Sequence, residues 1–307
     1  MIDLHLHTTA SDGLCTPERL IQRAYTAGIT TISVTDHDTM DAVPAAATAA
    51  GRQGLEFVPG IEVTSVLDGH DVHLLGYWLD AQSPALVGFL QDACTRRIDR
   101  AMEMGRRLDA AGVGIDVEAL LTSGSAPRSV ARPLLARALV KAGHVATVDE
   151  AFDRFLSRGR PAYVPNSGPS PAAAITAIRQ AGGIASLAHP GTLGRDDVLP
   201  SLCAAGLDAL EVYHSAHDLD TQVRYRALAR ALGLEVSGGS DFHGEGTRRA
   251  EYFGRTCLPP IDFEQLRKLV LDVCGTTPTS GPTSARRPPQ CRYCTPTLHA
   301  GPPRAVV

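Results

Sequence analysis

Imidazole and carboxylate side chains recur together in six short stretches of this chain. "DLHLH" carries His5 and His7, with Asp12 shortly after. "VTDHDT" carries Asp36, His37 and Asp38, "GIEVTS" carries Glu62, and "DVHLLGY" carries His73. "SLAHPG" adds His189, and "SGGSDFHG" adds Asp241 and His243. His5 and His7 stand two residues apart, the spacing that sends two side chains to one face of a strand. Singly, an H-x-H pair is a polar strand face, and "TDHD" is a turn whose aspartates cap backbone amides. Jointly they mean more: nine such groups (those named, apart from Asp36 and Asp38) gathered without a cation would leave buried polar atoms without partners. Nitrogen and oxygen donors with no cysteine among them suit Mn, Fe or Zn.

The elements that must position these groups follow a β/α rhythm. Residues 2–7 read as a strand whose Ile2, Leu4 and Leu6 pack on the face opposite His5 and His7. Residues 17–27 read as a helix with Thr16 as N-cap and Pro17 at its first position. A strand at 30–35, a helix near 42–51 and strands at 56–64 and 71–77 follow. After residue 160 the rhythm resumes. A helix at 171–181 precedes strands at 184–188 and 209–213. A helix at 221–232, a strand at 235–239 and a last helix at 263–273 complete it. This alternation predicts an α/β fold. Each ligand-type cluster lies at or just beyond the end of a predicted strand, and such ends gather at one face of β/α folds.

Between these halves, residues 84–160 show no strand pattern. A long helical run at 86–111 is crowded with Arg96, Arg97, Arg100, Arg106 and Arg107, and helices near 117–121, 132–141 and 147–156 follow. The expected organisation is therefore residues 1–83 and 161–275 as two parts of one α/β body, with residues 84–160 as a helical insertion. Residues 276–307 hold seven prolines, four arginines and no acidic residue, a composition expected of a disordered tail.

The formal charge is −4, and without the tail's four positive charges the remainder stands near −8. An acidic body with little aromatic interleaving argues against a groove for long nucleic acid. No run approaches 18 apolar residues, so no membrane span is expected. The seven scattered cysteines (15, 94, 203, 257, 274, 291 and 294) read as reduced thiols in a cytoplasmic protein. "CRYC", Cys291 to Cys294, has only His299 and distant Cys274 as partners, a thin basis for a four-ligand zinc site.

The set "DLHLHTTASDG", "TDHDT", "PGIEVTS", "HLLGY", "AHPG" and "GSDFHG", in that order, resembles the PHP family, named for polymerase and histidinol phosphatase. The resemblance runs from residue 1 to about 275. It implies a distorted (β/α)7 barrel with a helical insertion and three divalent metal ions at the strand C-termini. By resemblance, His5, His7, Glu62 and Asp241 hold the first ion. Glu62 bridges to a second, held also by His73 and His189, while Asp12, His37 and His243 hold the third. Asp12 stands where some members have histidine. In such a site closely spaced cations acidify a bridging water, and the resulting hydroxide attacks phosphorus. Glu62, His189 and Asp241 are the residues expected to matter most to turnover. Asp36 or Asp38 is a candidate to orient a ligating imidazole, and Asp38 is equally a candidate backbone cap.

The insertion between "HLLGY" and "AHPG" resembles the branch acting on nucleoside 3′,5′-bisphosphates and short RNA 5′ ends. In "SVARPLLARALVKAG", Arg132–Pro133 and Lys141 match that branch, although Ala131 and Leu134 replace its usual Gly and His. Arg97, Arg132 and Lys141 are candidates to clamp a second phosphate, because guanidinium groups grip phosphate bidentately. His214 and His217, in "EVYHSAH", are candidates for substrate contact or leaving-group protonation. The expected substrate is a small phosphorylated nucleotide, with a short 5′-phosphorylated RNA as the alternative. Histidinol phosphate and a non-catalytic structural role follow behind these.

Overall fold

The computed structural model describes residues 1–122, 132–247 and 249–275, apart from the side chains of 271–275. The expected tail, with Cys291, Cys294 and His299, lies outside that description, as do Ala131 and the side chain of Cys274. Along the chain run β1 (Ile2–Asp3), α1 (Pro17–Thr26), β2 (Thr31–Val34), α2 (Val43–Gln53), β3 (Glu56–Leu67) and β4 (His70–Tyr77). The insertion contributes α3 (Pro84–Ala110), α4 (Val117–Thr122), α5 (Arg132–Lys141) and α6 (Val148–Ala151), the last continuing as a π-type turn over Phe152–Leu156. Then come α7 (Pro171–Gln180), β5 (Ile184–Leu187), α8 (Pro190–Leu193), α9 (Leu199–Ala204), β6 (Ala209–His214), α10 (Leu219–Leu232), β7 (Glu235–Gly239) and α11 (Pro260–Gly275).

The seven strands form one sheet in sequence order. All neighbours run parallel except β4, which is antiparallel to both β3 and β5. The sheet curls into a nearly closed barrel because the first strand meets the last. Leu4 donates its backbone N–H to Gly238 O at 3.2 Å, His7 donates to Phe242 O at 3.0 Å, and Asp241 donates to His5 O at 2.8 Å. Gly239 makes this seam possible, since a Cβ there would lie 2.3 Å from His5 N and 2.7 Å from Asp3 Oδ1. The β/α barrel expected from the resemblance is the fold observed.

Two local expectations need correction. The strand predicted over residues 2–7 keeps its ladder only at Ile2–Asp3. Beyond it the backbone splits its bonds between both neighbours: Leu6 donates to Thr35 Oγ1 at 3.1 Å, whereas His7 turns to Phe242. The third strand is longer than predicted, so Glu62 sits within β3 rather than near its end.

Helix boundaries follow local chemistry. Thr16 caps α1 by accepting from Arg19 N at 3.3 Å, and Asp218 caps α10 by accepting from Thr221 N at 2.9 Å. Both satisfy amides that the first turn leaves without helical partners. Leu4 packs in the central cluster with Leu74, Leu187 and Leu210, while Leu6 packs with Leu20, Ile21 and Phe242 under α1 and α2. Full burial of each such side chain contributes about 1.5–3 kcal/mol. The insertion has its own apolar cluster, with Met104, Leu108, Leu135, Leu139 and Phe155 at its centre. Residues 1–275 nonetheless pack as one unit. Among the described residues no helix is long and apolar enough to cross a membrane.

Candidate metal centre

The two oxygens of Glu62 face five imidazoles. Oε2 lies 3.2 Å from each of His5 Nε2, His7 Nε2 and His37 Nδ1. Oε1 lies 2.8 Å from His73 Nδ1 and 3.1 Å from His189 Nε2. Asp241 Oδ1 joins the first set, 3.4 Å from His5 Nε2 and 3.2 Å from His7 Nε2. On the far side of His37, Asp12 Oδ1 stands 3.2 Å from His243 Nε2, and Asp12 Oδ2 stands 4.0 Å from His37 Nε2. All nine ligand positions named from the sequence are thus brought into one linked cluster. Three subsets, His5–His7–Glu62–Asp241, His7–Asp12–His37–His243 and His37–Glu62–His73, each keep one ligand atom per residue within 4.8 Å of the others.

Strands of the barrel and the loops that follow them put them there. His5 and His7 leave β1 where its ladder ends. Glu62 sits where β3 crosses the loop after β2, with Glu62 N donating to Asp36 O at 3.2 Å and Asp38 N donating to Glu62 O at 2.9 Å. His73 is not at a C-terminal strand end. It occupies the first half of β4, opposite Thr64, and reaches the same mouth because β4 runs the other way. Asp38, His189 and Asp241 are three of the five non-glycine residues with left-handed backbone among those described. Such a conformation costs about 1–3 kcal/mol for non-glycine residues and concentrates at functional sites.

The electrostatics suit cation ligation. Burial favours the neutral form of Glu62, yet His37, His5 and His73 hold its carboxyl well below the usual range. Asp241 behaves likewise, with burial outweighed by His5 and His243. Burial pushes His37 down to about 3 against the pull of Glu62 and Asp12, leaving a neutral imidazole, the form that ligates metal. Among the described residues, His7 Nε2 and His37 Nδ1 are buried with no aligned hydrogen-bond partner. Burial opposes a charge on His7, yet Asp241 and Glu62 raise its pKa to about 10; a divalent ion between the same groups would take the place of that proton.

Outer groups fix the inner ones. Glu211, fully buried on β6, accepts from His5 Nδ1 at 2.8 Å and from His189 N at 2.7 Å. Sequence reasoning missed this role, although a carboxylate between the apolar Leu210 and Val212 in a core strand is itself a signal. Asp36 accepts from Thr8 N, Thr8 Oγ1 and Ser11 Oγ, and Ser11 Oγ stands 3.5 Å from His7 Nδ1. Asp36 therefore reaches an imidazole only through Ser11. Asp38 acts as a cap, accepting from Thr64 N at 2.8 Å, and also pairs with Arg97.

The other nominated residues are dispersed. Arg97 donates from Nε to Asp38 Oδ2 at 2.6 Å and from Nη2 to Thr64 Oγ1 at 2.8 Å. Arg132 lies 3.7 Å from Asp71 and over the rings of Phe152 and Tyr163. Lys141 is exposed at the last position of α5, nine residues and about 13 Å along the helix from Arg132. His214 is buried behind Asp241: its Nδ1 accepts from Ala216 N at 3.1 Å, so its Nε2–H faces Asp241 Oδ2 at 3.3 Å. His217 is similarly engaged, donating to Val212 O and accepting from Gly191 N. Two arginines not nominated also reach the mouth. Arg249 pairs with Asp241, and Arg137 of α5 donates to Asp12 O at 3.4 Å.

A family model for the PHP domain matches residues 3–122. The 3′,5′-nucleoside bisphosphate phosphatase of Chromobacterium violaceum is 36% identical over 265 residues, covering 85% of this chain and 93% of that protein. The chain belongs to the PHP family. The 5′-3′ exoribonuclease Rnm of Salmonella typhimurium is 40% identical over 253 residues, covering 78% of this chain and 84% of the relative. A solved structure from Bifidobacterium adolescentis, described as a metal-dependent phosphoesterase, superposes with a TM-score of 0.79 at 31% identity, over 86% of this chain and 94% of that one. This PHP protein is accordingly a metal-dependent hydrolase of phosphoric esters.

Proposed function

We propose that this PHP phosphoesterase releases phosphate from a small phosphorylated nucleotide, in first place a nucleoside 3′,5′-bisphosphate. The observation that carries the reading is the division of Glu62: Oε2 toward His5 and His7, Oε1 toward His73 and His189. A carboxylate so divided suits a bridge between two ions, with Asp241 completing the first set and Asp12, His37 and His243 forming a third. Divalent ions held there, Mn, Fe or Zn by donor type, would acidify water and neutralise phosphoryl oxygens.

The chain's own residues then have definable tasks. Glu211 fixes the His5 ring so that Nε2 faces Glu62 and Asp241, where it would help hold an ion, and it holds the His189 backbone. His214 steadies Asp241 through Oδ2 and leaves Oδ1 for ligation. Arg249, on the same carboxylate, brings a positive charge to the rim where phosphoryl oxygens would lie. Arg137 and Arg132 carry α5 across the mouth from the Asp12 loop to Asp71. That span favours short substrates over a long strand.

The likeness to the bisphosphate phosphatase, covering 93% of that protein, supports the substrate. The likeness to an exoribonuclease supports a second reading, stepwise trimming of a short 5′-phosphorylated RNA by the same centre. A screen separates them. The purified protein with Mn, Mg or Zn is offered AMP, adenosine 3′,5′-bisphosphate, histidinol phosphate and a short 5′-phosphorylated RNA. Phosphate released fastest from the bisphosphate is the expected result, and mononucleotides released from RNA would establish the second reading. Turnover of none of the four would reject both.

A further inference from the structure

His217 is a buried histidine to which the metal centre described above gives no task. Burial holds its pKa below the ordinary value despite the Val212 carbonyl and Glu211, so the ring is neutral. Nδ1 donates to Val212 O at 2.9 Å, and Nε2 accepts from Gly191 N at 3.1 Å. The ring stacks on Tyr225 of α10 with centroids 5.4 Å apart, and His214 lies T-shaped to it at 5.3 Å. With both nitrogens engaged, the ring has no free atom for a substrate.

Its hold is on the segment that carries a candidate ligand. His189 has φ 30° and ψ 56°, a left-handed conformation that a β-carbon disfavours, and Pro190 follows it without an N–H. Such a turn has to be held from outside. On one side, His189 N donates to Glu211 Oε2 at 2.7 Å. On the other, the next available N–H is that of Gly191, and His217 accepts it. A Cβ on Gly191 would lie 2.8 Å from both Nε2 and Cδ2 of His217, so this backbone rests directly on the ring. Helix α10 grips the same segment further along. Tyr225 Oη donates to Asp196 Oδ1 at 2.9 Å, and Arg224 pairs with Asp196 Oδ2. The ring that this scaffold steadies is that of His189, whose Nε2 stands 3.1 Å from Glu62 Oε1.

We propose that His217 is a positioning residue for His189: by accepting from Gly191 N it fixes the left-handed turn, and with it the approach of His189 Nε2 to the ion shared with His73 and Glu62 Oε1. The inference rests on the divided Glu62 proposed above and adds to it an outer residue on a different element. Without the acceptor, the turn is free to relax toward ordinary backbone and draw His189 away. The ligands on Glu62 Oε2 and around Asp12 come from other parts of the chain. The effect is therefore confined to one ion of the three.

The test compares full-length wild type with His217→Phe, His217→Gln and His217→Asn, each stripped with chelator and titrated with Mn. Phe keeps a ring on Tyr225 and removes the acceptor. Gln returns an oxygen to Gly191 N, whereas Asn is one methylene too short to reach it. Bound Mn is counted by elemental analysis after dialysis, kcat and KM for adenosine 3′,5′-bisphosphate are measured alongside, and the thermal midpoint of the stripped protein reports folding. Expected in the Phe and Asn variants is one Mn site weakened about 10–100-fold with the others unmoved. Their kcat falls at limiting Mn and returns at high Mn with KM unchanged, and Gln stays close to wild type. Wild-type Mn affinity in both Phe and Asn overturns the positioning role. So does a Gln variant as weak as Asn, because ring shape and not the acceptor would then decide; this pair also settles the matter if the Phe variant does not fold. Fewer than two Mn in wild type would overturn the divided Glu62, and the proposal with it.

Discussion

Glu211 Oε1 accepts a 2.8 Å hydrogen bond from His5 Nδ1 across 206 positions of sequence, and neither side chain is exposed to solvent. The bond fixes the orientation of the His5 ring and turns Nε2 toward Glu62 and Asp241, where a bound ion would replace the proton that these carboxylates attract. Glu211→Ala should therefore weaken divalent-metal binding by about 10–100-fold, with Glu211→Gln milder because an acceptor remains. Metal titration followed by activity would check this. Activity of Glu211→Ala should return at high Mn, and wild-type metal affinity in that variant would contradict the assignment.

Glu62 is the carboxylate on which the cluster converges. Glu62→Ala should cost more than Glu211→Ala, a loss in kcat/KM above the 10–100-fold of an outer carboxylate, and should lower bound metal by more than one equivalent. Elemental analysis of the purified variant gives the second number independently of activity. Retention of most turnover in a metal-replete assay would reject the bridging role.

Ions bound by the folded chain should also stabilise it. Chelator treatment is expected to lower the thermal midpoint, and Mn returned at about a hundred times its dissociation constant should restore about 2.7 kcal/mol. An unchanged midpoint across the Mn titration would mean that folded and unfolded chains bind the ion equally.

Gly239 closes the barrel against His5. A methyl group there meets backbone, His5 N at 2.3 Å, and backbone cannot swing aside as a flexible side chain can. Gly239→Ala should destabilise by about 1–3 kcal/mol or more, read as a lower urea midpoint, and should weaken metal binding by displacing His5. A wild-type midpoint would show that the seam opens without cost.

Much of the carboxylate–imidazole cluster was legible in the sequence because its members are local signals: H-x-H on a strand, Asp-His after a strand, Glu within an apolar run. Their convergence follows from parallel β/α order. His73 shows the limit of that logic. An alternating pattern reveals a strand but not its direction, and His73 reaches the mouth from the first half of a reversed one. Glu211 was hidden for a different reason: its task is set by His5, 206 residues away, and no local pattern carries that. His214 was legible as a site histidine, but its burial behind Asp241 depends on packing between β6 and the loop after β7. Arg97 was separable from Arg96 and Arg100 only once Asp38 and Thr64 were seen to occupy it.

The reversal of β4 has one more consequence. A strand that descends delivers the chain to the floor of the barrel, away from the chemistry. The 27-residue α3 then climbs back, about 40 Å at 1.5 Å per residue, and along that ascent Arg96, Arg97 and Arg100 draw level with Asp38 and Thr64, beside the carboxylate–imidazole cluster. The remaining insertion is hoisted to the rim, where α5 spans from Asp12 to Asp71. A single change of strand direction thus supplies both a wall and a roof, and ties the reach of the enzyme's grip to the length of one helix.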